Sequence, residues 1–338
     1  MASQKTGPPY ASPIASIGGI PTVGVDVAIC SVFIFLFVVA AAGHMTIFVK
    51  NRKRGHKFLM SGAMYGFCLA RIATMVMRIV WAVYPDDVQV AMAAQILVSA
   101  GVIVLFIINL IFAQRIIRAA HPNFGWQKTV SVAFKVIDAL IVVMLAMVIT
   151  ATVQSYYTLN PDIRKVDRDL QLTAGTYLMF VSFLPIPLVV FTLIVPRKTR
   201  LEKFGSGRWR SKITILLVSA VLLCLGASFR AGTSYRNPRP RASPAWYHAK
   251  WCFYFFNFAI ETVVVYLYLL LRVDRRFHIP NGSKGAGDYS GGVNSEPGVP
   301  ATRGSRFSMG STHRVLSEEE VFDDEMPTGD EKSIEGQV

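Results

Sequence analysis

Charge is scarce in this 338-residue chain: Asp, Glu, Lys and Arg make up 17% of it, against about 25% in a soluble globular domain. Acid is scarcer still, with 21 acidic against 35 basic side chains and a net charge of +14. Such a balance excludes an ordinary soluble enzyme and, over most of the length, a disordered chain. Cysteine is rare too. Cys30, Cys68, Cys224 and Cys252 form no CxxC, which excludes a disulfide framework or zinc module; buried free thiols are the expectation, with a Cys30–Cys252 pair near one membrane face the alternative. Of six histidines only His44 falls inside an apolar run, so a histidine-rich intramembrane metal site is excluded. The last apolar run holds no lysine for a Schiff base, and no Walker loop, GxSxG or HExxH occurs. The expectation is a non-enzyme with no cofactor and no metal.

Hydrophobic residues, by contrast, make up 52% of the chain. Seven runs reach the roughly 20 residues a bilayer helix needs. They cover about 26–49, 58–84, 90–113, 130–153, 174–195, 213–229 and 251–271. The basic charge lies between these runs, which reads as a membrane signature and argues against nucleic acid as partner. The predicted fold class is all-α: a polytopic integral membrane protein, a seven-transmembrane-helix bundle. Lys and Arg number 18 in the segments that are cytoplasmic for an N-out, C-in arrangement and 9 in the others, so that orientation is predicted. Residues 1–25 read as a short disordered N-terminus with no cleaved signal, residues 26–271 as the transmembrane domain, and residues 272–338 as a juxtamembrane segment with a disordered acidic tail starting at Asn281. The one sequon, Asn281-Gly-Ser283, falls on the cytoplasmic side and is predicted to carry no glycan.

A charge at membrane depth costs at least about 2.5–3.5 kcal/mol and normally faces a partner inside the bundle. Arg71 and Arg78 share one face of the second helix, and Glu261, near mid-depth in the seventh, is the natural partner of Arg71. That pair is either a structural lock or part of a substrate site. Arg78 lies level with Asp26. Lys135 and Asp138 on the fourth helix are placed to neutralise each other, unless Lys135 snorkels to the headgroups. His44 and Asn109 are proton-handling candidates, with a packing hydrogen bond the simpler reading. Phe183-Leu-Pro185-Ile-Pro187 predicts a kink in the fifth helix.

Two surface segments stand out. The basic stretch from Pro196 to Lys212, with Phe204 and Trp209, suits anionic inner-leaflet lipid. Arg236, Arg239, Arg241 and Trp246 form a basic and aromatic loop on the opposite side, able to collect an anionic ligand or headgroup, with an aromatic belt beside a solvated loop the simpler reading. In the tail, Ser317 has an upstream Arg314 and downstream acids and is a candidate phosphosite; the tail is also where cytosolic partners would bind.

His44-Met-Thr-Ile-Phe-Val-Lys-Asn51, Arg54-Gly-His-Lys-Phe58 and Asn109-Leu-Ile-Phe-Ala-Gln-Arg115 through His121-Pro122 resemble an uncharacterised fungal multi-spanning family, domain of unknown function 3112, over roughly residues 20–280. More loosely, Ser228-Phe-Arg230-Ala-Gly-Thr-Ser-Tyr-Arg236 followed by a last helix with Glu261 resembles the end of fungal RTA-type lipid-translocating exporters. That likeness implies seven spans and translocation of a lipid or amphiphile, or tolerance of membrane stress. A seven-helix sensor is the alternative, although Ala113-Gln114-Arg115 lacks an acid before the arginine and the seventh helix lacks NPxxY. A membrane scaffold recruiting partners through its tail is the third reading.

Overall fold

The computed structural model describes residues 7–291 except Lys198 and Arg200. Among them, seven helices are long and apolar enough to cross a bilayer: α1 (Val23–Lys53), α2 (Leu59–Val83), α3 (Val88–Ala120), α4 (Lys128–Tyr157), α5 (Pro161–Ile194), α6 (Trp209–Ser234) and α7 (Lys250–Leu270). Hydrocarbon offers backbone amides no partner, so each run closes its own hydrogen bonds as a helix. The chain is a multi-pass, all-α membrane protein. Its end bearing residues 7–22 is the N-terminal end here, and the other the C-terminal end.

α3 is the hub. Its Leu105, Phe106, Leu110, Phe112, Ala113 and Ile116 are at most 1% exposed. α1 and α4 lie at the rim and turn apolar side chains outward, Phe35 and Val142 among them, where only lipid can accept them. Three spans are interrupted. α3 turns at Val102. α5 turns at Leu184, just before Pro185, whose ring cannot continue the helical hydrogen bonds; the predicted kink is there. α7 carries a wide π turn at Phe255–Ala259. Gly226 of α6 packs against that turn so closely that a Cβ would sit 2.8 Å from the Phe256 carbonyl oxygen.

Several boundaries differ from the sequence reading. α5 begins at Pro161 rather than near residue 174. The added turns are charged and therefore invisible to hydropathy. They are helical because Asn160 caps them, its Oδ1 accepting from the Asp162 amide at 2.9 Å, with Pro161 in the first turn.

Residues 7–22 are not a disordered arm. The amides of Tyr10, Ala15 and Gly18 donate to the carbonyls of Tyr156 (2.7 Å), Arg239 (2.8 Å) and His248 (3.0 Å). Residues 281–291 likewise do not belong to a disordered tail. Asn281 Nδ2 donates to the Gly55 carbonyl at 2.7 Å, the Gly287 amide donates to Glu202 Oε1 at 2.7 Å, and Tyr289 is buried. Both segments are ordered by partners far away in sequence. Ser317 and the acidic cluster lie outside the described residues.

The C-terminal end is closed by packing. Phe204, Trp209, Phe277 and Tyr289 are each at most 1% exposed, and Lys212 is buried with Nζ donating to the Ser206 and Gly207 carbonyls at 2.8 Å. The expectation that Phe204 and Trp209 meet lipid is therefore corrected: they fill the core of this end.

Candidate functional site: an arginine-lined cavity

The N-terminal end is open where the C-terminal end is filled. A cavity of about 490 Å³ lies there between α2, α3, α4, α5, α6 and α7. Its inner wall is apolar, with Val98, Val102, Ile103, Leu145, Val148 and Leu178. Its mouth is polar. Arg164 and Arg168 reach it from the charged first turns of α5, and Arg236, Arg239 and Arg241 from the loop after α6. Residues 12–17 also line it, held to that loop by an Ile14–Pro240 bridge and by the Arg241 amide donating to the Pro13 carbonyl at 3.2 Å. Seven arginines but a single carboxylate, Asp167, line the cavity. Asp167 is 1% exposed, and neither of its oxygens has a hydrogen-bond partner.

Two buried ionic clusters border this space. In the deeper one, Arg71 Nε and Nη2 donate to Glu261 Oε2 and Oε1, both at 2.6 Å. Its Nη1 donates to the carbonyls of Leu97 (3.3 Å) and Val98 (3.0 Å), just before the α3 turn. Gly101 makes room for this, since a Cβ there would come within 2.5 Å of the guanidinium carbon. Arg71 is thus saturated by protein. The same carboxylate has a second cation beside it: Arg230 Nη1 is 3.9 Å from Glu261 Oε1 and donates to Asn257 Oδ1 at 3.3 Å. No other hydrogen bond holds the Arg230 guanidinium among the described residues, and its side chain is 23% exposed. Asn257 is positioned by the π turn, its Nδ2 donating to the Phe253 carbonyl.

The second cluster sits nearer the N-terminal end. Asp26 accepts from Arg78 Nη2 (3.0 Å), the Tyr254 hydroxyl (2.7 Å), the Thr22 amide (2.8 Å) and Lys250 Nζ. Arg78 also donates to the Gly18 carbonyl at 2.9 Å and stacks over the Phe253 ring, 4.0 Å from its centroid. Gly18 adopts φ +81°, and a Cβ there would meet Phe253 at 2.6 Å, so glycine alone fits this anchor of the N-terminal segment. Each cluster sets two cations around one carboxylate. One positive charge is in excess in each, and Arg78 and Arg230 both face the cavity.

The remaining sequence candidates separate. His44 Nε2 lies 3.3 Å from the Val265 carbonyl oxygen, and Asn109 Oδ1 accepts from Ser219 at 3.1 Å and from Tyr268; both are packing contacts away from the cavity. Asp138 does not pair with Lys135. Its Oδ1 is buried without a partner while Lys135 is exposed, because the long lysine side chain turns outward. All four cysteines are free, and Cys30 Sγ lies 3.3 Å from the Tyr254 hydroxyl. Trp246 is 70% exposed and lies outside the cavity, whereas Arg236, Arg239 and Arg241 line it.

Sequence reasoning missed Arg230 and Asn257 as site residues, and Arg164 and Arg168 with them. Arg230 falls just past the sixth apolar run, which ends near residue 229, although α6 continues to Ser234. At the mouth, burial pushes the His248 imidazole below its ordinary value, with Arg239 acting in the same sense. The Ala245 amide donates to its Nδ1 at 3.0 Å, so the neutral ring carries its proton on Nε2. Among the described residues no group of His, Cys, Asp and Glu is arranged to hold a metal.

Two family models match the chain. One, described as a domain of unknown function, DUF7702, matches residues 22–231; the other, a protein of unknown function, DUF3112, matches residues 208–278. The stretches around His44 and Asn109 fall within the first match, so the DUF3112 likeness is confined to the last two helices and what joins them. No curated protein and no solved structure matches.

Proposed function

The chain belongs to the family defined by the domain of unknown function DUF7702, and from that premise we propose that it binds an amphiphile in the arginine-lined cavity and moves it across the membrane. The single observation that carries this reading is the two-part lining: apolar side chains deep between the helices and arginines at the mouth. A headgroup and a chain need such a division. The twofold excess of Lys and Arg in the loops of the other end supports an N-terminal end facing away from the cytosol. Arg71–Glu261 then acts as the floor that must rearrange for passage. A membrane sensor is the second reading, favoured by the packed closure at Phe204, Trp209 and Tyr289.

A lipid-flip measurement in proteoliposomes tests the choice. Wild type should translocate a labelled single-chain lipid, and folded Arg71→Ala and Glu261→Ala variants should not. Wild type that binds the lipid without moving it decides for the sensor.

A further inference from the structure

Amphiphiles come with anionic, cationic and uncharged headgroups, and the charge distribution around the cavity discriminates among them. Buried cations are normally matched by carboxylates or saturated by carbonyls, because an unmatched charge in a low-dielectric interior is costly. Arg71 obeys this rule fully. Arg230 does not. It lies beside a carboxylate already bound bidentately by Arg71, at 3.9 Å, with one 3.3 Å bond to Asn257 and the rest of its donors unused among the described residues. Arg78 and Lys250 share Asp26 in the same two-to-one ratio. The cavity thus has two uncompensated positive charges at its border, an arginine-rich mouth and one carboxylate.

We propose that the cavity selects amphiphiles with an anionic headgroup of the phosphate or sulfate class, and that Arg230 is the residue that binds the anion. This inference rests on the amphiphile-binding reading and gives it a substrate class. A guanidinium presents planar paired donors that match the oxygens of such a group. Arg230 is held loosely by Asn257, so it turns from Glu261 to the ligand without disturbing the Arg71–Glu261 pair. The mouth arginines attract the anion, and the apolar wall receives its chain.

The test uses the full chain in nanodiscs of uncharged lipid. Four probes are titrated: dodecyl phosphate, dodecyl trimethylammonium, dodecyl maltoside and inorganic phosphate. Dodecyl phosphate should bind saturably and the other two amphiphiles should fail to compete. Arg230→Gln should weaken its binding about tenfold or more, the scale of a lost charge-assisted hydrogen bond. Arg230→Lys should retain part of the affinity, and Lys135→Gln, at an exposed position, all of it. Inorganic phosphate binding as tightly as dodecyl phosphate, with the same dependence on Arg230, supports the anion site and identifies a free anion as its ligand; much weaker binding identifies a lipid headgroup. Equal binding of all three amphiphiles, unaffected by Arg230→Gln, overturns the anion selectivity while leaving amphiphile binding standing. Binding of none overturns both. Should Arg230→Gln not fold, the ranking of the four probes on wild type decides.

Discussion

At the C-terminal end, Arg115 donates to the Phe277 carbonyl and lies over the Phe58 ring, Lys212 donates to two carbonyls, and Asn51 and Arg272 both bind Asp274. At the N-terminal end, Arg230 has one long hydrogen bond, and six further arginines stand around a cavity together with Asp167, whose oxygens have no hydrogen-bond partner among the described residues. The side chains are of the same kind, and their surroundings differ. Arg115 and Lys212 end on carbonyls that fasten residues 201–208 and 271–291, whereas at the mouth Arg164 and Arg168 each give one bond to a carbonyl, of Thr158 and Arg236, and keep other donors spare among the described residues. Cations left with spare donors around a space are placed for a ligand. The difference teaches that residue type alone does not mark a binding site; incomplete satisfaction does.

The comparison breaks first at the one element the two ends share, the Arg71–Glu261 pair. Glu261→Gln leaves Arg71 and Arg230 without their carboxylate and should destabilise the protein by about 3–5 kcal/mol, read as a lowered Tm in detergent. A Tm equal to wild type would mean that the pair is solvated and not a floor. Next comes Phe204→Ala, which removes a fully buried ring touching Trp209, Phe277 and Tyr289. It should cost about 3 kcal/mol and leave amphiphile affinity in folded protein unchanged. Lost affinity at unchanged stability would show that the two ends are one site.

The smallest effect is in pH. Burial holds the His278 imidazole below its ordinary value of 6.5, with His56 and Arg115 acting in the same direction and Asp274 against it. The folded state then binds the proton less readily than the unfolded one, so this stability is complete above 6.5 and is lost as the pH falls below it. The loss should stay under about 1 kcal/mol, since the ring is partly exposed and screened. Thermal melts across that range should show a slope that shrinks in His278→Asn; an unchanged slope would place the proton elsewhere.

Much of this was legible in the chain. The seven spans follow from apolar run length, and Arg71–Glu261 from matching depth, because an intramembrane charge has few places to find a partner. Arg78 and Asp26 lie at one level by their positions in the first two runs, and the two pair. The kink before Pro185 follows from the missing amide. What escaped depended on contacts that no local pattern encodes. Arg164 and Arg168 sit in helical turns made by a cap rather than by hydropathy. Asn257 is aimed inward by a π turn. Phe204 and Trp209 look like interfacial aromatics until Phe277 and Tyr289, more than 65 residues away in sequence, come to pack on them. Lys135 and Asp138 show the converse: helical spacing allowed a pair, and the lysine found solvent or headgroups instead.

The central claim is that an amphiphile occupies the space between α3, α5 and α6 at the N-terminal end. A photoactivatable dodecyl phosphate, crosslinked to the reconstituted protein and mapped by mass spectrometry, tests it directly. The account predicts labels on cavity-lining positions around Ser99, Leu172 and Ala231, competed away by unlabelled dodecyl phosphate. Labels confined to the outward faces of α1 and α4, or to residues 201–208 and 271–291, would contradict it.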